Sequence, residues 1–248
     1  MTSLNSTRAV ALLLFLGGCA VAPDGVEIND PYEERNRQVH AFNKKVDDQI
    51  FGAFGSDEKD GPSVPVEIAD PVVNFADNVA LPGMVLNGLL QGDIGGAATN
   101  TMRFMINTTA GFGGLFDPAD AIGLFEDDTD FGETLTVWGV PEGAYLELPI
   151  IGPSTERDFA GMIVDAIIDP LGHVGTVPQE KYGTLATLAG RAIKRDQFGD
   201  TVDSVLYDSA DSYAQQRLIY LQNRRFELGE TSDDAAVDPY DDLFGDTP

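Results

Sequence analysis

Apolar residues recur at helical spacing along much of the chain, which predicts a mainly α-helical protein with few or no strands. The first amphipathic stripe follows Asp30 and Pro31, a pair typical of a helix start, and ends near Gly52. Spacings of three, four and seven separate its members, as expected for one helix face. They are Tyr32, Val39, Phe42, Val46 and Ile50.

A second helix is predicted from Val66 to about Val79, and residues 79–91 then form an apolar stretch without charge. The stretch is broken by Asn87 and is shorter than the roughly 20 residues that a membrane-spanning helix needs. It can lie in a bilayer surface or fill a protein core, and the pattern leaves both open. The candidate lipid-contact residues in it are Leu81, Met84, Val85, Leu86, Leu89 and Leu90.

Further helices are predicted over residues 93–109, 159–168, 181–198 and 200–226. In the first of them Met102, Met105 and Ile106 share a face, which we expect to pack in the core. The second should stop at Asp169, because a residue before proline avoids the helical region.

The last of these helices should be capped by Asp200 and carry Tyr213 and Tyr220 on its packing face. Residues 110–116 are rich in glycine and leave a tight core turn and a functional turn equally open.

The amino terminus has the order of a secretory signal, with Arg8 followed by an apolar run over residues 9–16 and two glycines. Leu16-Gly17-Gly18-Cys19 resembles the lipobox of bacterial lipoproteins, so residues 1–18 are predicted to be cleaved and Cys19 to be lipidated. Two acyl chains give a stable membrane anchor. Ala20, in place of aspartate, favours the outer membrane.

Charge narrows the choice of partners. The chain has 15 basic and 41 acidic residues, a net charge of −26, which argues against nucleic acid because phosphate binding needs a basic face. Eight acids and no base lie between Glu227 and Pro248, so residues 229–248 are predicted to be a disordered acidic tail.

No pattern points to an enzyme, a metal or a cofactor. The two histidines, His40 and His173, have no metal-ligand spacing, and no nucleophile elbow or phosphate loop occurs. Carboxylates over residues 126–133 do not match a calcium loop, and we predict a solvated loop there. We therefore predict no catalytic residue, no metal and no cofactor.

Several stretches, in order along the chain, resemble the MlaA (VacJ) family of outer-membrane lipoproteins. The opening pattern has Asn36-Arg37 and Phe42-Asn43, and an apolar segment runs from Leu81-Pro82 to Leu90-Gln91-Gly92. The central motifs include Gly113-Gly114 and Arg157-Asp158. The resemblance covers about residues 30–226, and it departs from the family where Ser212 replaces a common proline.

The resemblance implies a ring of amphipathic helices lying in the membrane, with a polar channel. It implies that misplaced phospholipid leaves the outer leaflet and passes to a soluble periplasmic carrier, which maintains lipid asymmetry beside a trimeric porin. The implied domains are the signal at 1–18, a lipidated tether at 19–29, a helical body at 30–228 and the tail. The alternative is a passive lipoprotein that scaffolds a porin or the envelope.

Overall fold

The computed structural model describes residues 28–49, 64–169 and 177–230, with side chains from residue 185 in the last range. The predicted signal at 1–18, Cys19, most of the tether, His173 and the acidic tail beyond residue 230 lie outside the described residues.

Helices dominate the described part, which confirms the mainly α class. Two short strands form the one sheet found in these ranges. The elements, in chain order, are α1 (Glu33–Asp47), α2 (Val66–Gln91), α3 (Ile94–Thr109), α4 (Pro118–Ala121), α5 (Phe131–Val137), β1 (Tyr145–Leu148), β2 (Gly152–Thr155), α6 (Glu156–Ile168), α7 (Val177–Gln197), α8 (Gly199–Leu206) and α9 (Ser212–Glu227).

Helix α2 is longer than predicted, because the helix expected to end near Val79 continues through the whole apolar stretch to Gln91. Pro71 and Pro82 lie inside it, where each removes one backbone hydrogen bond. Packing against α3 and α7 compensates for that loss. The helix ends at Gly92, whose φ of 83° suits glycine, and the Asp93 N–H closes the turn on the Gly88 carbonyl.

Two predicted helix starts are wrong. Helix α1 begins at Glu33, because the Asp30 carboxylate accepts hydrogen bonds from Asn36 and Tyr213 instead of capping the helix. The helix predicted over residues 200–226 is two helices, and Asp211 caps the second by accepting the Ala214 N–H. Asp200 lies inside the first turn of α8.

The strands β1 and β2 form an antiparallel hairpin in which Tyr145 faces Thr155 and Leu148 faces Gly152. Ile150, in its turn, has a φ of 69°, the left-handed region that a β-branched residue rarely adopts. The hairpin leads directly into α6, which Thr155 caps by accepting the Asp158 N–H. As predicted, α6 ends at Ile168, before Asp169 and Pro170.

A small apolar cluster joins the hairpin to α9. Tyr145 packs edge-to-face against Tyr213 and Tyr220, and Leu221 completes the cluster. The prediction that Tyr213 and Tyr220 pack the last helix is thus confirmed. Among the described residues, no helix is both long enough and apolar enough to cross a membrane.

Candidate functional site

Polar side chains fill much of the interior. Among the described residues, 14 polar or charged side chains are buried against 12 hydrophobic ones, of which five are alanines. This reverses the usual balance, in which buried polar groups are the exception. Six of the 14 are asparagines: Asn29, Asn36, Asn78, Asn87, Asn100 and Asn107.

Two asparagines on α1, seven residues apart, bind the backbone of the hairpin. Asn36 donates to the Tyr145 carbonyl at 3.1 Å and accepts the Glu147 N–H at 3.1 Å. Asn43 donates to the Leu148 carbonyl at 2.9 Å and accepts the Ile150 N–H at 2.7 Å. Each amide thus supplies a donor and an acceptor, as a neighbouring strand would.

Helix α3 repeats this arrangement against the segment that follows it. The Asn100 amide donates to the Asp127 carbonyl at 2.7 Å and accepts the Asp127 N–H at 3.1 Å. Asn107, again seven residues on, accepts the Ala119 N–H at 3.1 Å and donates to the Asp117 carboxylate at 2.9 Å. Arg103 lies between them and pairs with Asp117 at 2.6 Å.

On α2, Asn87 joins three elements. Its amide donates to the Asp165 carboxylate of α6 at 2.9 Å and accepts the Thr134 hydroxyl of α5 at 3.2 Å. The other Asp165 oxygen accepts the Phe131 N–H at 3.0 Å. This half-buried carboxylate ties the start of α5 and the end of α6 to α2.

Arginines of α9 complete the polar interior. Arg224 bridges Asp130, at 2.7 Å, and Asp158, at 3.2 Å, while Tyr220 donates to Asp158 at 2.6 Å. Arg225 pairs with Glu142 at 2.9 Å. The charges of both arginines are therefore bound to carboxylates from other parts of the chain.

A further group of carboxylates resists ionisation. Burial first, and then the charges of Asp77 and Asp128, raise the pKa of Glu126 to about 7. Burial also raises the pKa of Asp128, Glu133 and Asp165. Asp77 and Glu126 come from α2 and from the segment before α5, and Lys194 of α7 bonds Asp77 at 3.0 Å.

The outward face of α3 is apolar, whereas the sequence pattern predicts that its apolar face packs in the core. Met102 and Met105 are 48% and 61% exposed, so the prediction that they pack in the core is wrong. The reason is that Asn100, Arg103 and Asn107 take the inner face of α3. The usual assignment of the apolar face to the interior fails for this helix.

The candidate lipid-contact residues of α2 divide into two groups. Leu89 is 52% exposed, Leu90 is also exposed, and Met84, Val85 and Leu86 are partly exposed. Leu81 is 1% exposed and belongs to the interior. The prediction that Leu81 contacts lipid is therefore wrong, because the protein itself encloses this side chain.

The glycine-rich segment is a tight turn between α3 and α4. Gly113 and Gly114 have φ angles of 77° and 94°, which strongly favour glycine. A Cβ on Gly114 would lie 2.5 Å from the Asn78 amide nitrogen, so the turn also packs closely on α2. Phe112 and Phe116 project from it into the exterior.

Of the remaining family-motif residues, some are buried in the protein and others are exposed. Arg157 is buried and pairs with Glu230 at 2.9 Å, while Asp158 receives Arg224. Phe42 is exposed on α1. Sequence reasoning missed Asn100. The signal that could have found it is the seven-residue spacing of Asn100 and Asn107, which repeats the spacing of Asn36 and Asn43.

The acidic segment over residues 126–133 has structural partners. Asp130 caps α5 by accepting the Glu133 N–H at 2.8 Å, and Asp127 is bound by Asn100 through its backbone. Within the described ranges no three histidine, cysteine or acidic side chains are grouped as metal ligands.

Comparisons with known proteins agree on one family. The family described as "MlaA lipoprotein" matches residues 28–227. The intermembrane phospholipid transport system lipoprotein MlaA of Haemophilus influenzae is 32% identical over 91% of this chain and 92% of its own length. The protein of the same name in Shigella flexneri is 31% identical over 89% of this chain and 87% of its own length.

A shorter match links the chain to an uncharacterised Rickettsia prowazekii protein, RP093, at 41% identity over 59% of this chain. The match spans 58% of that relative's length. Among solved structures, one from a study of the structural basis for maintenance of bacterial outer membrane lipid asymmetry matches with a TM-score of 0.64. It is 28% identical, and the match covers 80% of this chain and 98% of the other.

Proposed function

The chain belongs to the MlaA lipoprotein family, and on that premise we propose that it moves phospholipid out of the outer leaflet of the outer membrane. It passes each molecule through a polar channel to a soluble periplasmic carrier and so maintains lipid asymmetry. Named relatives are intermembrane phospholipid transport lipoproteins, and the matched structure concerns outer-membrane lipid asymmetry.

The observation that carries this proposal is the reversed polarity of α3. A helix with Met102 and Met105 outside and Asn100, Arg103 and Asn107 inside suits a body whose surroundings are acyl chains. In lipid every buried polar group needs a partner within the protein, and four asparagine amides bind backbone groups in this way: Asn36, Asn43, Asn100 and Asn107.

The exposed end of α2 extends the apolar exterior. Leu89 and Leu90 lie there, with Met84, Val85 and Leu86 partly exposed, and charged side chains are absent from residues 79–91. Burying apolar area contributes about 25 cal/mol per Å², so this surface favours contact with the bilayer. We propose that the helices form a ring partly embedded in the outer membrane, at its periplasmic face.

The headgroup path is proposed to run past Glu126, whose pKa is raised to about 7 by burial and by neighbouring carboxylates. Glu126, Asp77 and Lys194 come from three separate segments yet interact with one another electrostatically. Burying an unpaired charge costs free energy. A charged headgroup would therefore leave water at a lower cost beside this polar lining than beside an apolar lining.

The anchor and the partners complete the proposal. Lipidated Cys19 would deliver the body to the outer membrane, where a trimeric porin would hold it and the periplasmic carrier would receive the lipid. The net charge of −26 leaves nucleic acid out of this scheme.

The test is complementation of a deletion strain with Leu89→Asp and Met105→Asp variants. We expect each carboxylate to impair bilayer contact, since a charge in hydrocarbon costs several kcal/mol. Phospholipid amines in the outer leaflet, labelled on intact cells with a membrane-impermeant reagent, should then rise towards the level of the deletion strain. Gln222→Asp, on an exposed polar position of α9, is the matched control and should complement fully.

The alternative, a passive scaffold, gives a different result. In that case deletion would weaken the envelope or change porin assembly while the outer-leaflet phospholipid stays at the parental level. Unchanged labelling in the deletion strain would overturn the transport proposal.

A further inference from the structure

Three side chains far apart in sequence meet at the start of α9. The His40 Nε2 atom lies 3.0 Å from the Ser212 hydroxyl oxygen. The opposite ring nitrogen, Nδ1, lies 3.6 Å from an oxygen of Glu147. A histidine placed between a serine and a carboxylate in this order has the connectivity of the serine–histidine–acid arrangement that activates a hydroxyl for attack on a carbonyl.

The environment of His40 suits a general base. The residue is 5% exposed, and its ring packs edge-on against Tyr213 with centroids 5.7 Å apart. Within the described part of the chain Nδ1 has no hydrogen-bond partner, and the Glu147 carboxylate is the acid that faces it. In structures without substrate such a bond is often long and tightens when the reactants bind.

Glu147 is held as an acceptor. The Tyr145 hydroxyl donates to one of its oxygens at 2.5 Å, and the Asn43 amide donates to the other at 3.1 Å. The second oxygen is the one that faces His40, so the carboxylate favours the tautomer with hydrogen on Nδ1. That tautomer leaves Nε2 free to accept the Ser212 proton.

The serine lies where a developing negative charge can be stabilised. Ser212 is the first residue of the 16-residue helix α9, and it is partly exposed. In the described ranges no acceptor binds the backbone N–H groups of Ser212 and Tyr213. The Asp211 carboxylate accepts the next N–H of the helix, that of Ala214. Arg37 balances the charge of this carboxylate by donating two hydrogen bonds of 2.9 Å to it.

We propose that Ser212 is an acyl-accepting nucleophile and that this site cleaves carboxylic esters. The serine oxygen bonds to the carbonyl carbon while its proton passes to His40 Nε2. The tetrahedral intermediate then breaks its bond to the alcohol oxygen, which takes that proton, and the acyl group remains on Ser212. Water attacks this ester with His40 as base, the acid is released, and Ser212 regains its proton.

Ser212 and His40 are the catalytic residues of this proposal, and Glu147 positions His40. The activity is independent of the transport function, because none of the three residues belongs to the apolar exterior or the proposed headgroup path. A variant that loses lipid transport should therefore keep the esterase activity. A variant that loses the esterase activity should likewise keep lipid transport.

The first test is labelling of the full-length protein in detergent with a fluorophosphonate probe, followed by peptide mass spectrometry. Ser212 should be the modified residue, and His40→Gln should slow the labelling about 100-fold or more, the usual contribution of a general base. Ser204→Ala, an exposed serine on α8, is the matched control and should label like the parent. Labelling of Ser212 no faster than that of Ser204 would overturn the proposal.

A second measurement distinguishes a loss of esterase activity from a loss of folding. Hydrolysis of p-nitrophenyl butyrate should fall about 100-fold in Ser212→Ala, while its unfolding midpoint stays near that of the parent. Ser212→Cys should be alkylated by iodoacetamide faster than Ser204→Cys, because His40 would activate the new thiol. Equal alkylation of the two would contradict the proposed role of His40.

The role of Glu147 is read from the rate of labelling at constant pH. Glu147→Gln should lower the maximal rate of labelling, and Glu147→Asp should restore part of it, because a carboxylate beside Nδ1 orients the His40 ring. A merely structural role would change the unfolding midpoint and give the two variants the same rate of labelling.

Discussion

Asn43 holds the turn of the hairpin by accepting the Ile150 N–H at 2.7 Å, although the two residues are 107 positions apart in sequence. The same amide donates to Leu148 and Glu147. Asn43→Ala should therefore lower the free energy of unfolding by about 1 kcal/mol, because it removes hydrogen bonds to the exposed Ile150 N–H and the partly buried Leu148 carbonyl. Urea denaturation followed by circular dichroism measures the change. Gln38→Ala, on the exposed side of α1, should change stability by less than about 0.5 kcal/mol.

Ile150 itself provides a second prediction. Its φ of 69° strains a β-branched residue that is 73% exposed and gains little from packing. Ile150→Gly should stabilise the protein by about 0.5 kcal/mol, the left-handed strain of about 1 to 2 kcal/mol less the entropy cost of glycine. Ile151→Gly, the exposed neighbour without a positive φ, should not stabilise. A loss of stability in Ile150→Gly would show that the side chain itself has a contact that outweighs the strain.

Gly113 and Gly114 allow strain and packing to be separated. A Cβ on Gly113 meets nothing within 4 Å, so Gly113→Ala should cost only the left-handed backbone strain of about 1 kcal/mol. Gly114→Ala adds a clash with Asn78, whose side-chain atoms would lie 2.5 to 2.7 Å away. It should therefore destabilise the protein more than Gly113→Ala does. Thermal unfolding of the two variants side by side checks the order.

Arg224 pairs with two carboxylates, of which Asp158 is buried. Arg224→Met would leave the buried Asp158 charge with only the more distant Arg157, at 3.9 Å, as a cationic neighbour and should lower the free energy of unfolding by about 3 kcal/mol. Lys194→Met breaks the exposed pair with Asp77 and should cost no more than about 1 kcal/mol. Similar losses in the two variants would mean that Tyr220, Thr155 and Arg157 together compensate the charge of Asp158 without Arg224.

Glu126 makes stability depend on pH. Its pKa is raised from 4.5 to about 7, so the folded protein binds the proton more tightly than the unfolded chain does. The stabilisation that comes from protonated Glu126 is therefore fully present below pH 4.5 and is lost as the pH rises to about 7. Glu126→Gln should stabilise the protein at pH 8 by about 1 to 3 kcal/mol and have little effect at pH 4. Glu34→Gln, on the exposed surface of α1, should show no such difference between the two pH values.

Much of the helical order could be read from apolar spacing, because the periodicity of a helix is local. The face that points inward could not be read in the same way. Met102 and Met105 share a stripe that would be buried in a water-soluble protein, yet Asn100 and Asn107 take that place. The partners of these asparagines lie on other segments, so only the assembled structure identifies them.

The end of a helix could be predicted only where a residue type has a single structural role in its local sequence. Proline after Asp169 stops α6 as expected, whereas Pro82 does not stop α2, because packing on both sides holds the helix together. Asp200 and Asp211 are equally good caps by residue type, and the structure uses only the second in that role. The site of Ser212, His40 and Glu147 gave no sequence signal, because its members are spread over three elements.

The pairing of Asn36 with β1 has a consequence for association between copies of the chain. One edge of β1 is bonded to β2, and the other is occupied by the Asn36 side chain and by the Asn29 carbonyl, which accepts the Tyr145 N–H. An uncovered strand edge is a template on which a second chain can add and begin to aggregate. Here side chains of a helix close that edge, so the hairpin can sit beside a crowded membrane surface without recruiting the strands of its neighbours.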